Sequence, residues 1–231
     1  MNDLNLFKKN GFLIKENLIS QTKINKINKI VNEVISKEKK KKNGNGANGT
    51  QSYNNYHFVY NSGSTKNKEI LRLNNPQNRH KVFYELSRDK KIISIAKKLL
   101  GGTVRFHLGK LNFKLPNKKK GSEIGWHQDW AFYPHTNDDL ITVGIYLDDC
   151  YEKNGPLKII KNSHKKKLYS HHNKENYFVG KIDTKKDKIG TKDSVSITGT
   201  AGTVVFFHCR SVHGSGHNQM NNSRPLILFG Y

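Results

Sequence analysis

A histidine and a carboxylate stand two positions apart in the segment Trp126-His127-Gln128-Asp129. In a β-strand, residues two apart point to the same face, so His127 and Asp129 project together while Gln128 turns away. An imidazole and a carboxylate on one face are two ligands of a 2-His-1-carboxylate site, the arrangement used by non-haem Fe(II) oxygenases. A His-x-Asp pair also occurs by chance, and an isolated histidine is more often a structural hydrogen-bonding residue. The interpretation therefore needs support from elsewhere in the chain.

That support comes from the C-terminal segment. His213 follows a run that resembles a buried strand and is the candidate third ligand. Three protein ligands leave three positions of an octahedron for O2 and a chelating co-substrate. Arg224 comes eleven positions later, at the start of the last predicted strand, and Ser215 lies two residues after His213. A planar guanidinium suits bidentate binding of a carboxylate, although an isolated arginine near a C-terminus is usually a solvated surface charge.

The residues that follow the His-x-Asp pair are rich in aromatic side chains. Trp130, Phe132 and Tyr133 stand on a loop that we expect to overhang the metal. Aromatic residues at such a position form either the wall of a substrate pocket or ordinary core. The sequence leaves both interpretations open.

Two lysines precede the pair on a predicted strand. Lys110 and Lys114 alternate with apolar residues, so they share one face of that strand. If that face is the inner one, the lysines meet an anionic substrate group or the co-substrate. If it is the outer one, they are two of many solvated lysines, which is the more common outcome.

The elements that must position these residues differ between the two halves of the chain. Apolar residues at helical spacing predict a helix over 20–37, and residues 38–50 read as a flexible, polar loop. Residues 81–100 read as one or two helices that end at Gly101-Gly102. The predicted strands are 103–107, 109–115, 141–147, 157–160, 203–208 and 225–231.

This order predicts a single domain over 1–231 that is mostly β. A helical layer over 1–100 packs on a β core over 101–231, in which many short strands indicate a sandwich or barrel. The polar stretch 165–200 is long enough to be a functional loop within the β half.

The charge of the chain is strongly positive. Lysine and arginine number 41 against 18 acidic residues, for a formal net charge of +23. Only six of the 41 are arginine, the residue on which base and phosphate recognition depends most, so we do not expect a nucleic-acid partner. No apolar run has the length of a membrane span, no secretory signal is recognisable, and two cysteines make no disulfide framework. A cytoplasmic location is expected, and the oligomeric state is not indicated.

Three segments together resemble the phytanoyl-CoA dioxygenase family. They are WHQDWAFYPHTNDDL, IYLDDCYEKNGPLKIIKNSHK and AGTVVFFHCRSVHGSGHNQMNNSRPLILFGY, and the opening FKKNGFLIKENLIS is also similar to the family's N-terminal entry. The resemblance implies a double-stranded β-helix, a jelly-roll or cupin-like fold. It also implies Fe(II) as cofactor, with 2-oxoglutarate and O2 as co-substrates.

The resemblance assigns roles to the residues found above. It implies that His127, Asp129 and His213 bind Fe(II), and that Arg224 pairs with the distal carboxylate of 2-oxoglutarate with help from Ser215.

Further positions follow from the same resemblance. It places Gln128 and Thr142 beside the co-substrate and Tyr146 in the pocket lining. Ile145 stands where a founding member of the family has a tryptophan beside the co-substrate.

The function that these expectations favour is hydroxylation. The reaction is expected to convert an unactivated C–H bond of a small anionic or zwitterionic metabolite, with release of succinate and CO2. An intact Asp129 favours hydroxylation over halogenation, because halogenating relatives replace this carboxylate with a small residue. The alternatives are a catalytically inactive cupin-like binding protein and a basic, nucleic-acid-associated oxygenase.

Overall fold

The structure is a computed structural model that describes residues 1–39, 58–60, 69–116 and 123–231. Its helices are α1 (Asp3–Asn10), α2 (Gln21–Lys39), α3 (Lys81–Leu86) and α4 (Lys90–Leu100). Its strands are β1 (Phe12–Lys15), β2 (Phe58–Tyr60), β3 (Ile70–Asn74), β4 (Leu108–Lys114), β5 (Ile124–His127), β6 (Ile141–Tyr146), β7 (Leu157–Ile160), β8 (Ser194–Ile197), β9 (Val204–His208), β10 (His213–Ser215) and β11 (Arg224–Gly230).

The long helices form where the sequence predicts them. In α2 the residues Ile24, Ile27 and Val31 are buried on one face, at the expected helical spacing. The helix continues through residue 39, two residues into the predicted loop 38–50, and the remainder of that loop lies outside the described residues. Residues 81–100 form two helices, because Asp89 accepts hydrogen bonds from the first backbone N–H groups of α4 and begins a new helix there.

The strands form two antiparallel sheets. The larger sheet has the order β1-β9-β6-β11-β4-β3-β2, and the smaller has the order β5-β10-β7-β8. The sheets face each other as in a jelly roll, which confirms the predicted fold.

The N-terminal hundred residues are not only a helical layer, as the sequence analysis expected. They contribute β1 to one edge of the large sheet, and β2 and β3 to the other. These strands have four, three and five residues, too few to display a clear alternating pattern. The short strands β5, β8 and β10, with four, four and three residues, were also not predicted.

The predicted strand 103–107 is also wrong. Residues 103–107 are irregular, because β11 pairs with β4 only as far as Leu108 and offers the preceding segment no ladder. Beyond the end of this ladder, His107 N donates a hydrogen bond of 2.8 Å to Gly230 O.

Two core clusters lie on opposite faces of the large sheet. On β9, Val204 and Phe206 pack with the helices, whereas Val205 and Phe207 pack toward the small sheet. The same alternation places Ile145 on the helix side, so it does not face the space between the sheets as a pocket residue would. Among the described residues, no helix combines the length and apolar character needed to cross a membrane.

Candidate metal and co-substrate site

The predicted metal ligands come together at one end of the small sheet. His127 ends β5, His213 begins β10, and the two are directly paired across these strands. Asp129 follows in a short 3-10 turn, Asp129–Ala131. Its Oδ1 lies 3.8 Å from His127 Nε2 and 3.7 Å from His213 Nε2. One ligand atom from each residue falls within 4.8 Å of the others, so a single ion can contact all three.

Backbone carbonyls orient both imidazoles toward this point. His127 Nδ1 lies 2.8 Å from Gly125 O, and His213 Nδ1 lies 2.9 Å from Ser211 O. A proton on each Nδ1 satisfies these carbonyls and leaves the Nε2 lone pair for a metal. Burial, with repulsion from His213, lowers the pKa of His127, which favours the neutral imidazole that a metal ligand requires.

One carboxylate oxygen of Asp129 accepts a hydrogen bond, and the other is directed at the two histidines. Thr142 Oγ1 donates a hydrogen bond of 2.6 Å to Asp129 Oδ2, which leaves Oδ1 facing the two histidines. Burial acts to raise the pKa of Asp129, but the adjacent His213 and His127 and the Thr142 hydrogen bond outweigh it and hold this pKa below its ordinary value. The site therefore offers two imidazole nitrogens and one carboxylate, the donor set that suits Fe(II).

Arg224 lies buried in the same cavity, only 4% exposed. Its Nε donates to Asn154 O (3.2 Å) and its Nη2 donates to Gly155 O (2.8 Å). Its Nη1 is buried with no hydrogen-bond partner among the described residues. A buried guanidinium that lines a cavity and has an unpartnered Nη1 fits a carboxylate ligand, because leaving such a group unsatisfied is costly.

Lys114 and Ser215 complete this part of the cavity, which we call the Arg224 pole. Lys114 is paired with Arg224 across β4 and β11. Its ammonium donates to Ser215 Oγ and, at 2.9 Å, to Gly216 O. Burial, reinforced by repulsion from Arg224, lowers the pKa of Lys114 to about 7.

The cavity that joins the triad to the Arg224 pole has a volume of about 400 Å³. It lies between the two sheets. The described residues that line it are Val59, Leu71, Arg72, Leu108, Lys110, Asn112, Phe113, Lys114, Ile124, His127, Asp129, Phe132, Tyr133, Thr142, Leu157, Gly180, Phe207, His213, Gly214, Ser215, Arg224, Leu226 and Leu228.

A comparison with family models decides the assignment. Residues 7–226 match the model described as phytanoyl-CoA dioxygenase (PhyH). The chain belongs to this family. Of its curated relatives, a probable alpha-ketoglutarate-dependent hypophosphite dioxygenase from Stutzerimonas stutzeri is 40% identical over 179 residues, 76% of this chain and 61% of that protein. An L-proline trans-4-hydroxylase from Streptomyces griseoviridis is 30% identical over 65% of this chain and 62% of that protein.

The alignments with these relatives span about three fifths of the relatives' length. Solved structures agree on the fold. The crystal structure of EctD from S. alaskensis with bound Fe has a TM-score of 0.75 and 21% identity, and the match covers 98% of this chain and 74% of that one. Another, with 2-oxoglutarate and 5-hydroxyectoine, has a TM-score of 0.74 and 22% identity, with 98% and 73% covered.

The lysines predicted on the strand before the pair face inward. Lys110 and Lys114 both line the cavity, while Leu111 and Phe113 between them belong to the helix-side core. Of the two orientations that the sequence left open, the structure has the inner one.

The aromatic residues after the pair divide between cavity and loop. Phe132 and Tyr133 line the cavity, and the Phe132 ring stands edge-on to His127 at 5.5 Å between centroids. Tyr133 is held near Asp129, and burial, with the Asp129 charge, raises its pKa. Trp130 is not among the described residues that line the cavity, although the sequence analysis listed it as a candidate pocket residue.

Two further expected pocket residues serve other purposes. Gln128 is buried with its side chain turned away from the cavity: its Nε2 donates to Arg210 O (2.8 Å) and its Oε1 accepts from Tyr169 N (2.9 Å). It ties two loops together and does not reach the co-substrate space. Tyr146 is fully buried in the inter-sheet core, where its hydroxyl donates to Ile197 O (2.7 Å) and its ring lies 5.3 Å from the Arg224 guanidinium.

Sequence reasoning missed Arg72 and Asn112, which line the cavity from β3 and β4. Asn112 is on the same face of β4 as Lys110 and Lys114, so the two-residue period was the available signal. Arg72 had no such signal, because its strand was not predicted.

Proposed function

We propose that this protein is an Fe(II)- and 2-oxoglutarate-dependent oxygenase. It hydroxylates an unactivated bond to hydrogen in a small anionic or zwitterionic metabolite and releases succinate and CO2. The observation that carries the proposal is one cavity with the His127, Asp129 and His213 donors at one place and the unpartnered Nη1 of Arg224 at another. A keto acid with a distal carboxylate fits both features at once.

The bound iron and co-substrate supply the oxidising chemistry, and the protein supplies position and shelter. Gly125 and Ser211 carbonyls aim the two Nε2 atoms, and Thr142 aims Asp129 Oδ1. Arg224 is fixed by two carbonyls, and its Nη1 has no partner among the described residues.

Aromatic side chains border the triad on its solvent side. The Phe132 ring contacts both His127 and Phe178, with centroid distances of 5.5 and 5.3 Å. Both phenylalanines are partly exposed, so they form the rim of the cavity at this position.

The relatives support a small substrate. Those with curated names are named for hypophosphite, L-proline and ectoine. Hypophosphite carries its hydrogens on phosphorus, so the bond attacked is either the predicted C–H or, as in the substrate of the 40% identical relative, a P–H.

The alternatives have less support. An inactive binding protein would have no need of the complete set of His127, Asp129, His213 and Arg224 around one cavity. A nucleic acid would have to extrude a base to reach Asp129, which is 7% exposed. We also propose that residues 1–231 act as one domain, supported by a core cluster that joins Phe7 and Leu86 to Phe229. The cytoplasmic location stays a prediction.

The test is optical. Metal-free protein is mixed under argon with Fe(II) and 2-oxoglutarate, and the visible spectrum is recorded. Chelation of the keto acid to ferrous iron gives a weak metal-to-ligand charge-transfer band, which we expect in the wild type and in His217→Ala but not in His213→Ala. His217 is the matched control, since its side chain is 47% exposed and lies outside the triad. Absence of the band in well-folded wild type contradicts the proposal.

A further inference from the structure

Two basic residues form a second positive region of the cavity. Arg72 on β3 and Lys110 on β4 both line it, and we call them the Arg72 pole. Arg72 is paired with Asn112, and Lys110 lies two residues further along β4, on the same face. Lys110 is four residues from Lys114, about 13 Å along the strand. Arg72, opposite Asn112, lies midway between Lys110 and Lys114 along the strand, so Lys110 is the part of the Arg72 pole that lies farthest from the Arg224 pole.

No carboxylate among the described residues forms an ion pair with the Arg72 pole, and Asp129 is the acidic group whose charge acts on Lys110. Arg72 is half-buried, its Nε is buried without a hydrogen-bond partner, and it makes no ion pair with a described carboxylate. Lys110 is half-buried beside it, with its ammonium 5.4 Å from the centroid of the Tyr133 ring. Two neighbouring cations repel each other when they are shielded from water, so an anion between them is favoured.

The described lining of the cavity provides no carboxylate that is free to pair with a substrate cation. Asp129 is the sole carboxylate among the described lining residues, and its oxygens serve Thr142 and the metal position. Residues 40–57, 61–68 and 117–122 contain neither aspartate nor glutamate, so whatever their placement they cannot add one. A substrate ammonium group brought into this cavity would lack a charged partner, and burying an unpaired charge is costly.

From these observations, and resting on the proposed function, we infer that the substrate is a compact anion without a cationic group, and that Arg72 and Lys110 bind its charged oxygens. The guanidinium contributes a planar pair of donors, and the ammonium contributes a point charge. The cavity also holds the co-substrate, which limits the substrate to a small molecule. In the reaction one oxygen atom of O2 enters the substrate's bond to hydrogen, and the other enters succinate as 2-oxoglutarate loses CO2.

The inference is tested by anion binding without metal or turnover. Hypophosphite is the probe, and its ³¹P line width is followed as protein is added. With 2-oxoglutarate present to occupy the Arg224 pole, we expect the wild type to bind hypophosphite and Arg72→Gln to bind it at least about tenfold more weakly. Arg105→Gln is the matched control, because Arg105 is exposed and outside the cavity. L-Proline, which carries an ammonium group, is expected not to displace the probe.

The inference is overturned if the wild type does not bind hypophosphite, if Arg72→Gln binds it as the wild type does, or if L-proline competes at equal concentration. Arg72→Lys keeps the charge and guards against misfolding of the glutamine variant. It is expected to bind more tightly than Arg72→Gln and more weakly than the wild type, because it keeps the charge and loses the planar pair of donors. The charge-transfer band separates this inference from the proposed function. If Arg72→Gln keeps the band and loses hypophosphite binding, both the proposed function and this inference are supported. If the wild type shows no band, the proposed function is contradicted, and the hypophosphite measurement still tests whether Arg72 and Lys110 bind an anion.

Discussion

The Arg224 pole and the Arg72 pole carry the same sign of charge but are held differently. At the Arg224 pole, two backbone carbonyls fix a guanidinium that is 4% exposed, and Lys114 is tied to Ser215 and Gly216. At the Arg72 pole, both side chains are only half-buried and their charged groups are less tethered.

This difference matches what each pole has to do. A rigidly held donor loses little entropy on binding and suits one ligand of constant shape, such as a co-substrate. Half-buried side chains on neighbouring strands tolerate substitution better than fully buried ones, so we expect the Arg72 pole to determine substrate specificity. The triad lines the same cavity as both poles, and variants at these three places should have separable effects on iron, co-substrate and substrate binding.

The largest effect is expected at the triad of His127, Asp129 and His213. Asp129→Ala removes the only carboxylate of the triad, so succinate formation should fall by at least about 1,000-fold. Hypophosphite binding should be equal or tighter, because a negative charge near Lys110 is lost. Both are measured on the same preparation, and residual succinate formation near the wild-type rate would remove Asp129 from the site.

The next effect isolates the Arg224 pole. Arg224→Gln deletes the donor that faces the cavity, and the KM for 2-oxoglutarate should rise by about 10- to 100-fold, the range for a charge-assisted hydrogen bond. The KM for the substrate should stay within about twofold, since the Arg72 pole is intact. Steady-state kinetics with each ligand varied in turn measures both values. If Arg224→Gln raises the KM for 2-oxoglutarate and the KM for the substrate equally, the two poles act as one binding site.

The complementary variant isolates the Arg72 pole. Lys110→Gln should raise the KM for the substrate by about tenfold and leave the KM for 2-oxoglutarate unchanged. Lys97→Gln is its control, because Lys97 is exposed on α4. If Lys110→Gln instead raises only the KM for 2-oxoglutarate, Lys110 belongs with the co-substrate.

The sequence was sufficient for the metal site and insufficient for the Arg72 pole, for physical reasons. His127 and Asp129 are neighbours along one strand end, so a two-residue period predicts their shared direction. The inward direction of Lys110 needed the fold, because the period says that two lysines share a face and not which face it is. Arg72 stands on β3, whose five residues Ile70–Asn74 carry no clear alternation. The place of such a strand is set by pairing with β4, which only the tertiary structure reveals.

A smaller effect is expected from pH at the Arg224 pole. The pKa of Lys114 is lowered to about 7, chiefly by burial, so the ammonium is charged below this pH and neutral above it. The charged form attracts the co-substrate carboxylate, and therefore the KM for 2-oxoglutarate should rise by about 3- to 10-fold from pH 6 to pH 8.5. Lys114→Gln should make the profile flat, whereas Lys97→Gln should keep the slope. A wild-type KM that falls over this range would have the wrong sign for this explanation.

The smallest effect on kinetics is expected at Gln128, which stands between two metal ligands in the sequence. Its side chain joins Arg210 O and Tyr169 N on the side away from the cavity. Gln128→Ala should lower the free energy of unfolding by about 1–3 kcal/mol through these lost hydrogen bonds, with both KM values within about twofold of the wild type. Denaturant unfolding and steady-state kinetics on one preparation measure the two effects. A raised KM for 2-oxoglutarate with unchanged stability would instead return Gln128 to the co-substrate, because a residue that only joins two loops has no reason to favour one ligand over the other.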